Sequence, residues 1–456
     1  MARGKKKESA LTPEEKLAQA LVPVEEQPYQ VPENWCWMRG TAIFREMETR
    51  KPAGEFFDYI DIDAIDNSLQ VVTAPKHMAV KDAPSRASRA VHYGDTVFSL
   101  VRPYLKNIAF IDEFLKDCIA STGFYVCSPS SVLVPRYLYL LMTSSYVVDG
   151  LNQYMKGDNS PSIRKDDIEL FAYPIPPLAE QQRIVDRIEY LFANLDEAKE
   201  KAQSVLDSFE TRKAAILHKA FTGELTVQWR AEHGVEMERW VNETLQSVCS
   251  MKITDGTHKT PTYCDADVGV PFISAKDVTG EAICWDKIKY IVPELHDELY
   301  ARLAPQLDDI LLAKNGTTGV AAIVDVDKVF DLYVTLAVLR PDKSKILPRY
   351  LLRIVNSPVC KNQFDEHLTG IGVPNLHLRD IKEVVIQVPS LAEQAAIIQV
   401  VDSIMGKEQQ AKEAAEAVLE KIDLLKKSIL ARAFRGELGT NAPTEESAVE
   451  LLKSIL

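Results

Sequence analysis

Short polar segments between apolar runs carry the side chains that could do chemistry. The segment VRPYLKN (101–107) presents Arg102, Tyr104, Lys106 and Asn107 between two apolar runs. Arginine can grip guanine with two hydrogen bonds, asparagine can read adenine, and lysine can hold a phosphate. This combination favours a nucleic-acid contact, and an ordinary solvated turn is the alternative interpretation.

Four other segments of the chain carry comparable polar side chains. AKNGTTG (313–319) occupies the corresponding place, and its glycines permit a close approach of the backbone to a ligand. TDGTHKTP (254–261) adds further polar side chains. The segments 159–167 and 372–380 suit either phosphate contact or a helix-capping turn. Together these four segments supply the candidate nucleic-acid contacts Arg164, Lys165, Thr257, His258, Lys259, Thr260, Lys314, Asn315, Thr317, Thr318 and Arg379.

A long internal repeat must position these segments. PPLAEQQRIVDRIE begins at Pro176 and PSLAEQAAIIQVVD begins at Pro389, and the two copies run without a gap to Gly223 and Gly436. A repeat of this length is a duplicated half-protein rather than a solenoid unit. Two similar halves imply two similar sites held at a fixed separation.

Each copy of the repeat predicts a long amphipathic helix. Apolar residues recur at spacings of four and three, which is the seam of a coiled coil, with Arg212 and Glu408 off the pattern. The first helix is predicted to run unbroken from 178 to 221. We expect the two helices to pair within the chain, antiparallel; packing of each helix on its own globular region or on another protein is the alternative. The predicted interface is Ile184, Ile188, Leu191, Leu195, Val205, Phe209, Ile397, Val401, Ile404, Val418, Ile422 and Ile429.

The helix ends carry their own signals. Gly223 and Gly436 stand where a left-handed residue would terminate each helix. Ser390 and Glu393 have the spacing of a capping box at the start of the second helix.

These patterns predict an α+β fold with a pseudo-twofold internal repeat. Two strand-rich, mixed α/β globular domains are separated by two long helices that form an intramolecular antiparallel coiled coil. The predicted segments are a flexible N-terminal tail (1–27), a first globular domain (28–175), a first helical spacer with connector (176–239), a second globular domain (240–388), a second helical spacer (389–439) and a C-terminal tail (440–456).

Composition and missing motifs narrow the function. No phosphate-binding loop, zinc-binding helix or nucleophile elbow is found in the sequence, which favours a binding protein over an enzyme. Seven dispersed cysteines and the lack of a 20-residue apolar run predict a cytoplasmic protein without a membrane span. The net charge of −13 counts against general nucleic-acid binding, unless local basic patches or partner subunits supply positive charge.

PIPPLAEQQRIV, VPSLAEQAAII, the helix ends FTGEL and FRGEL, and the segment DGTHKTP…GVPFISAKDV carry a family resemblance. Over residues 28–439 the chain resembles the specificity subunit of Type I restriction–modification systems. The resemblance implies a non-catalytic reader of double-stranded DNA, whose two target-recognition domains each read half of a split site. The helices would act as a spacer and dock two methyltransferase subunits.

The same resemblance implies that this chain binds no cofactor of its own. S-adenosylmethionine for adenine-N6 methylation is expected on the methyltransferase subunits, and ATP and Mg²⁺ on motor–nuclease subunits. The alternative is a coiled-coil scaffold whose two heads bind proteins. A scaffold explains the acidity better and the matched basic segments worse.

Overall fold

The computed structural model describes residues 12–236, 240–368 and 375–454. The chain divides into two compact units, Met1–Ala202 with Ala417–Leu456, and Gln203–Glu416. Each unit combines one head of strands and short helices with parts of both long helices. The first head extends from β1 to β11 and the second head from β12 to β23, with bounds as follows.

The helices are α1 (Pro13–Ala20), α2 (Gly40–Ile43), α3 (Pro135–Thr143), α4 (Ser145–Asn152), α5 (Lys165–Glu169), α6 (Leu178–Asp207), α7 (Phe209–Phe221), α8 (Val227–His233), α9 (Pro293–Arg302), α10 (Pro348–Val355), α11 (Pro358–Glu366), α12 (Leu378–Glu383), α13 (Leu391–Ala433) and α14 (Ala448–Lys453). The strands of the first head are β1 (Cys36–Arg39), β2 (Phe56–Ile60), β3 (Ile65–Asp66), β4 (Val71–Val72), β5 (Lys76–Ala79), β6 (Ala87–Ala90), β7 (Thr96–Ser99), β8 (Ile108–Phe110), β9 (Ile119–Ser121), β10 (Phe124–Cys127) and β11 (Ala172–Ile175). Those of the second head are β12 (Val241–Thr244), β13 (Thr254–Asp255), β14 (Tyr263–Cys264), β15 (Val270–Ile273), β16 (Val278–Thr279), β17 (Ala282–Ile283), β18 (Lys289–Ile291), β19 (Ile310–Ala313), β20 (Ala321–Ile323), β21 (Asp331–Leu332), β22 (Leu336–Leu339) and β23 (Val385–Val388).

The first head is built on a sheet that is buried on both faces. The strands run in the order β10-β7-β8, and a second sheet runs β5-β2-β9-β6 with β2 and β9 parallel. Successive side chains of a strand point to opposite faces. Val97 therefore packs in a core with Ile60, while Phe98 packs in a core with Leu138 of α3. This explains why apolar residues occupy successive positions of these strands instead of every second one.

The second head repeats this topology where the sequences have diverged. Its central strands run β22-β19-β20, with β13 added at the edge, and β15 pairs with β21 in parallel as β2 does with β9. Alternate residues again enter two cores, Ile310 with α10 and Leu311 with Phe330. Segments 101–107 and 313–319 therefore both connect the second and third strands of matching sheets, which confirms their predicted correspondence.

The long helices differ in continuity. The second is unbroken in α13, whereas in the predicted helix 178–221 a single turn residue, Ser208, separates α6 from α7. The Ser208 hydroxyl donates to the carbonyl of Ser204 one turn earlier. Such a bond competes with the backbone hydrogen bond and bends a helix.

The two helices pack antiparallel, as the sequence predicts. In the second unit Lys412 lies 5.0 Å from the ring centroid of Phe209, and the Arg212 Nε lies 2.8 Å from Glu408 Oε2. Residue numbers increase from 209 to 212 along one helix while those of their partners decrease from 412 to 408 along the other, as in an antiparallel pair. The two residues that interrupt the apolar seam in the sequence are therefore partners of each other.

Parts of the predicted helix interface are shared with the heads. Ile184 and Ile188 lie in the core of the first head, which also contains Leu430 of α13, and Ile397 and Val401 lie in that of the second, which also contains Leu217 of α7. Val418 is 40% exposed, so its placement in the interface is wrong. Ile422 is buried, and the remaining predicted interface residues are half-buried, namely Leu191, Leu195, Val205, Phe209, Ile404 and Ile429.

Both chain ends are packed more firmly than predicted. Residues 1–11 lie outside the described residues, but α1 follows, and Ala20 and Val22 are buried, so the tail prediction is wrong for residues 12–27. The C-terminal segment forms α14, whose Ala448 and Leu452 are buried in the core that also contains Ala20. Apolar side chains at these spacings find cover in the first unit. Within the described residues no helix is long and apolar enough to cross a membrane.

Candidate nucleic-acid interface

Two predicted segments of the first head form one surface. Between β7 and β8 the chain makes a tight turn, with Arg102 and Lys106 both in the left-handed region (φ 49° and 57°). The Arg102 backbone N–H donates to the Pro161 carbonyl (2.8 Å), and its guanidinium donates to the Asn159 carbonyl (2.9 Å). Segments 101–107 and 159–167 are therefore hydrogen-bonded to each other.

The side chains of the turn differ in accessibility. Arg102 is exposed, Tyr104 is 46% exposed and Lys106 is half-buried. Asn107 is buried, and its carbonyl accepts from the backbone of Ser99, so it cannot present its amide to a base edge in this conformation. The prediction of a contact by Asn107 is corrected by its position at the start of a buried strand.

The second segment of this surface is also a helix-capping turn. The Arg164 N–H donates to Asp167 Oδ2 (2.7 Å) at the start of α5. Arg164 and Lys165 nevertheless keep exposed side chains, and Lys165 pairs with Glu169 at 3.2 Å. Capping by the backbone leaves both cationic side chains able to reach a phosphate.

In the second head the DGTHKTP motif begins buried and ends exposed. A Cβ on Gly256 would lie 2.1 Å from the Leu332 carbonyl oxygen, so only glycine fits there. Thr257 is buried beside this contact, and a base contact through its hydroxyl is therefore excluded in this conformation. His258, Lys259 and Thr260, which were predicted as contacts, are exposed.

The loop between β19 and β20 has a buried cation, whereas the equivalent loop between β7 and β8 has an exposed one. Lys314 is only 6% exposed and is ion-paired with Asp255, which corrects its prediction as a surface contact. Thr317 is exposed, while Asn315 and Thr318 are half-buried. The backbone turns through Gly316 and Gly319 at positive φ (76° and 83°).

The last predicted segment of the second head is described only from Asn375 onward. Asn375 forms a backbone bridge with Asn315, so this segment and the loop 313–319 meet. Arg379 is exposed and lies 3.1 Å from Asp380. Residues 372–374 of the prediction lie outside the described residues.

Exposed cations on both heads share one electrostatic feature. Lys165, Lys259 and Arg379 pair with carboxylates, namely Glu169, Glu298 and Asp380. The pairs of Lys165 and Lys259 are surface pairs, which contribute only about 0–1 kcal/mol each, whereas Asp380 is buried. A phosphate could replace Glu169 and Glu298 at little cost in free energy.

Two buried carboxylates, which sequence reasoning missed, fix each head to its helix. Glu180 Oε2 accepts from the Trp35 indole (2.8 Å), and Glu393 Oε2 accepts from the Trp240 indole (2.9 Å). Both carboxylates are fully buried at the start of a long helix. The repeated LAEQ sequence was the signal, but Glu393 was predicted to cap its own helix. Ser390 Oγ does accept from the Glu393 N–H (3.3 Å), whereas the Glu393 carboxylate binds Trp240 instead.

The glutamines of LAEQ add a matched pair of contacts. Gln181 Oε1 accepts from the Val134 N–H and Gln394 Oε1 accepts from the Leu347 N–H, each at 2.8 Å. Val134 and Leu347 precede α3 and α10, the first helices after the central sheet in each head. Head and long helix are thereby joined by polar contacts of defined geometry in both units.

The described ranges contain a buried carboxylate that pairs with an imidazole. No group of three or more His, Cys, Asp or Glu side chains there could hold a metal ion. Asp331 is buried and accepts from His296 Nδ1 at 2.7 Å. Burial raises the pKa of the Asp331 carboxyl, and the hydrogen bond from His296 opposes that rise. The pair ties α9 to β21.

Comparison with known proteins agrees with this architecture. The family model of the Type I restriction modification DNA specificity domain matches residues 39–206 and 237–420. The EcoKI specificity subunit of Escherichia coli is 25% identical over 69% of this chain and 68% of its own length. The EcoBI specificity subunit, also from Escherichia coli, is 26% identical over 58% of each chain. The chain thus spans less than two thirds of the EcoBI subunit.

Solved structures extend the likeness to the whole architecture. The HsdS subunit from Thermoanaerobacter tengcongensis is 26% identical with a TM-score of 0.68, covering 91% of this chain and all of that one. A chain from a structure of the type I R-M system, described in terms of complex assembly and conformational transition, is 26% identical with a TM-score of 0.70. It covers 90% of this chain and all of that one. The duplicated domain, the paired helices and these matches place the chain in the family of Type I restriction–modification DNA specificity subunits.

Proposed function

We propose that this chain reads a bipartite, gapped double-stranded DNA target, one half with each head, and docks methyltransferase subunits on its paired helices. The observation that supports this most is the matched attachment of two heads of one topology through Glu180 and Glu393. Dimeric DNA readers obtain a fixed half-site separation from symmetry. A duplicated chain obtains it from its helices and can carry two different heads, so the target need not be symmetric.

The chain contributes recognition, and its partners contribute chemistry. S-adenosylmethionine would bind to the methyltransferase subunits, which would flip an adenine and methylate it at N6. ATP and Mg²⁺ would bind to motor–nuclease subunits. The lack of catalytic motifs in this sequence supports that division of labour, as does the family to which the chain belongs. Such a complex would work in the cytoplasm, where its DNA lies.

Exposed apolar side chains on the long helices favour a protein partner there. Tyr190 is 60% exposed, Leu424 is 64% exposed, and Val418 and Leu425 are 40% and 48% exposed. Apolar groups in such positions are suited to burial in an interface. The same feature, with the net charge of −13, also fits a scaffold whose heads bind proteins, and this remains the second candidate function.

The negative net charge of the chain predicts a low affinity for DNA. Binding to DNA relies on Lys and Arg that neutralise phosphates. The isolated chain is therefore expected to bind DNA weakly, and the methyltransferase subunits would complete a positive channel. Tight, sequence-specific binding by the isolated chain would contradict this sharing of charge.

Methylation mapping tests the function. The chain is expressed with a methyltransferase subunit of its system in a host that lacks DNA methylation, and modified bases are mapped by single-molecule sequencing. We expect methyladenine in a two-part gapped motif that disappears when this chain is omitted. If a stable complex forms but no motif appears, the scaffold becomes the better interpretation.

Exchange of one head tests the division of the target. Replacing residues 28–175 by the equivalent region of another family member should change one half-site and preserve the other. A change in both half-sites would contradict separate reading by the two heads.

A further inference from the structure

Three predicted DNA-reading segments of the second head meet at one buried lysine. Through its ammonium group Lys314 pairs with Asp255, in the motif that continues to the exposed residues 258–260. Its carbonyl accepts from the Leu376 N–H (2.9 Å), in the segment that continues to Arg379. Lys314 itself opens the loop that carries Thr317. One residue therefore connects all three segments.

The ion pair is enclosed on both sides. The side chains of Lys314 and Asp255 are 8% and 9% exposed. A buried ammonium or carboxylate is tolerated only when it is paired and hydrogen-bonded. Asp255 has a second, longer contact with the exposed His258 Nε2 (3.4 Å). Separation of the pair would leave the Lys314 ammonium buried without a carboxylate, so the pair holds the two segments together.

Neighbouring contacts make the Asp255 side of the pair rigid. Arg302 of α9 donates to the Asp255 carbonyl (2.9 Å). Next to it, Gly256 lies so close to Leu332 that no side chain fits, and Thr257 forms a bridge with Tyr333. A displacement of Asp255 would therefore have to move a strand. The Lys314 backbone N–H donates to the Thr335 carbonyl (2.8 Å), so the Lys314 side of the pair is held as well.

In the first head, Arg102 occupies the loop equivalent to that of Lys314 but makes different contacts. It joins the equivalent loop to the segment 159–163 by donating to two backbone carbonyls, those of Pro161 and Asn159, and its side chain stays exposed. In the second head backbone groups of Lys314 and Leu376 make the corresponding connection, and the Lys314 ammonium, hidden from solvent, pairs with Asp255 instead. A hidden charge can set loop geometry but cannot neutralise a phosphate.

We propose that Lys314 and Asp255 are positioning residues that set the relative geometry of the DNA-reading loops of the second head, and that Lys314 makes no phosphate contact. This inference depends on the proposed function. According to this inference, two residues that need not touch a base influence which bases the second head prefers. Loss of a direct base contact relaxes recognition at one base pair, whereas loss of loop geometry relaxes a whole half-site.

The test uses Lys314→Met in the complex with the methyltransferase subunit, with the exposed Lys259→Met as the matched control. Methylation mapping gives the preference at each base pair, and binding to a duplex oligonucleotide with the mapped site gives the salt dependence of affinity. For Lys314→Met we expect preference to fall at least about tenfold across one half-site, since a good base contact contributes about 1–3 kcal/mol of discrimination. The other half-site and the salt slope should be unchanged.

For Lys259→Met a phosphate contact predicts the reverse pattern. The slope of log affinity against log salt should fall by about one, and the base preferences should be retained. If Lys314→Met behaves in this way, Lys314 is a phosphate contact and the proposal is wrong. If Lys314→Met leaves both preference and slope unchanged, the pair is only structural and the proposal is also wrong.

A second variant covers the case in which Lys314→Met fails to fold. Lys314→Met combined with Asp255→Asn leaves no unpaired buried charge, and its fold is checked by thermal unfolding of the complex. Broad relaxation of one half-site by this variant supports the proposal, and wild-type preferences contradict it. Failure of the proposed function is distinguishable, because the wild-type complex would then give no gapped motif at all.

Discussion

The two buried glutamates occupy equivalent positions but have different partners. In the first unit Glu180 accepts only from neutral donors, the indole of Trp35 and the amide of Asn441 (2.9 Å), with a longer contact to Thr440. In the second unit Glu393 accepts from Trp240 and also forms an ion pair with Arg230 (2.7 Å). Both glutamates keep an indole donor, and Glu393 adds a direct ion pair with the buried Arg230.

The origin of the difference lies in the segments that follow each helix. Thr440 and Asn441 follow Gly436, whereas Arg230 lies in α8, which follows Gly223. Both glycines have positive φ (75° and 78°), so the chain leaves the two helices in the same way. The comparison shows that both helices end with the same backbone conformation. The residues that follow this end differ, and they supply different partners to the two glutamates.

Neutralising each glutamate should produce the largest difference in stability loss between the two units. Glu393→Gln leaves Arg230 buried and unpaired, so we expect a local loss of about 3 kcal/mol in the second unit. Glu180→Gln keeps acceptors for neutral donors and should cost less than about 1 kcal/mol. Hydrogen exchange measured by peptide resolves each unit. Equal losses for the two variants would show that Arg230 does not determine the difference.

The polar pair within the helices offers a second test in the second unit. Arg212→Leu leaves the half-buried Glu408 unpaired, and we expect a loss of about 2 kcal/mol in helix pairing. The double variant Arg212→Leu/Glu408→Leu restores a continuous apolar seam and should be at least as stable as the wild type. A double-mutant cycle of unfolding free energies checks this coupling. Additive losses would contradict the pairing seen across the helices.

Two buried tyrosines should behave alike if the frame is repeated faithfully. Tyr137 donates to the Pro174 carbonyl (2.8 Å), and Tyr350 donates to the Gln387 carbonyl (2.9 Å). Replacing either by Phe leaves a carbonyl without its donor, and each change should cost about 1 kcal/mol. Local unfolding free energies from hydrogen exchange provide the measurement. A difference much larger than 1 kcal/mol would mean that the matched positions are not equivalent in energy.

The smallest effect is expected at the C-terminal segment of the first unit. Arg183 binds Glu445 with two hydrogen bonds (2.7 and 2.8 Å), and these hold the pKa of the Glu445 carboxyl below its usual value. The folded pKa is depressed, so the stabilisation is present above the ordinary carboxyl pKa and is lost as pH falls through the folded value. The pair is partly exposed, which limits the effect to about 0.5 kcal/mol.

Hydrogen exchange of residues 440–453 against pH measures this contribution. Glu445→Gln should remove the pH-dependent part of the protection, and Glu446→Gln, at the exposed neighbouring position, is the matched control. If the control changes the pH profile as much as Glu445→Gln does, the Arg183 contact is not its source.

Much of the architecture follows from local patterns. Spacings of four and three residues predict long helices in the segments 176–239 and 389–439 because an apolar stripe must be covered, and the repeat predicts two equivalent heads. The glycines that end the helices were identified because a left-handed conformation favours that residue. The connection between β7 and β8 and that between β19 and β20 were matched from apolar runs alone.

Side-chain accessibility was less predictable, because it depends on residues distant in sequence. Lys314 and Arg102 lie in equivalent loops and both read as surface cations, but only Lys314 has a carboxylate 59 residues earlier that can enclose it. Likewise, Glu393 has the spacing of a helix cap, but Trp240 and Arg230 compete successfully for its carboxylate.

Residue periodicity and duplication thus specify the α+β class, the paired helices and the two-headed plan, since these depend on hydrophobic spacing within one segment. Tertiary structure decides which polar groups are buried, which helix turns belong to the heads and which loops meet. Burial makes an unpaired polar group costly, and its partner can come from any part of the chain. Pairings such as Glu180 with Trp35 and Lys314 with Asp255 therefore become visible only when the chain is folded.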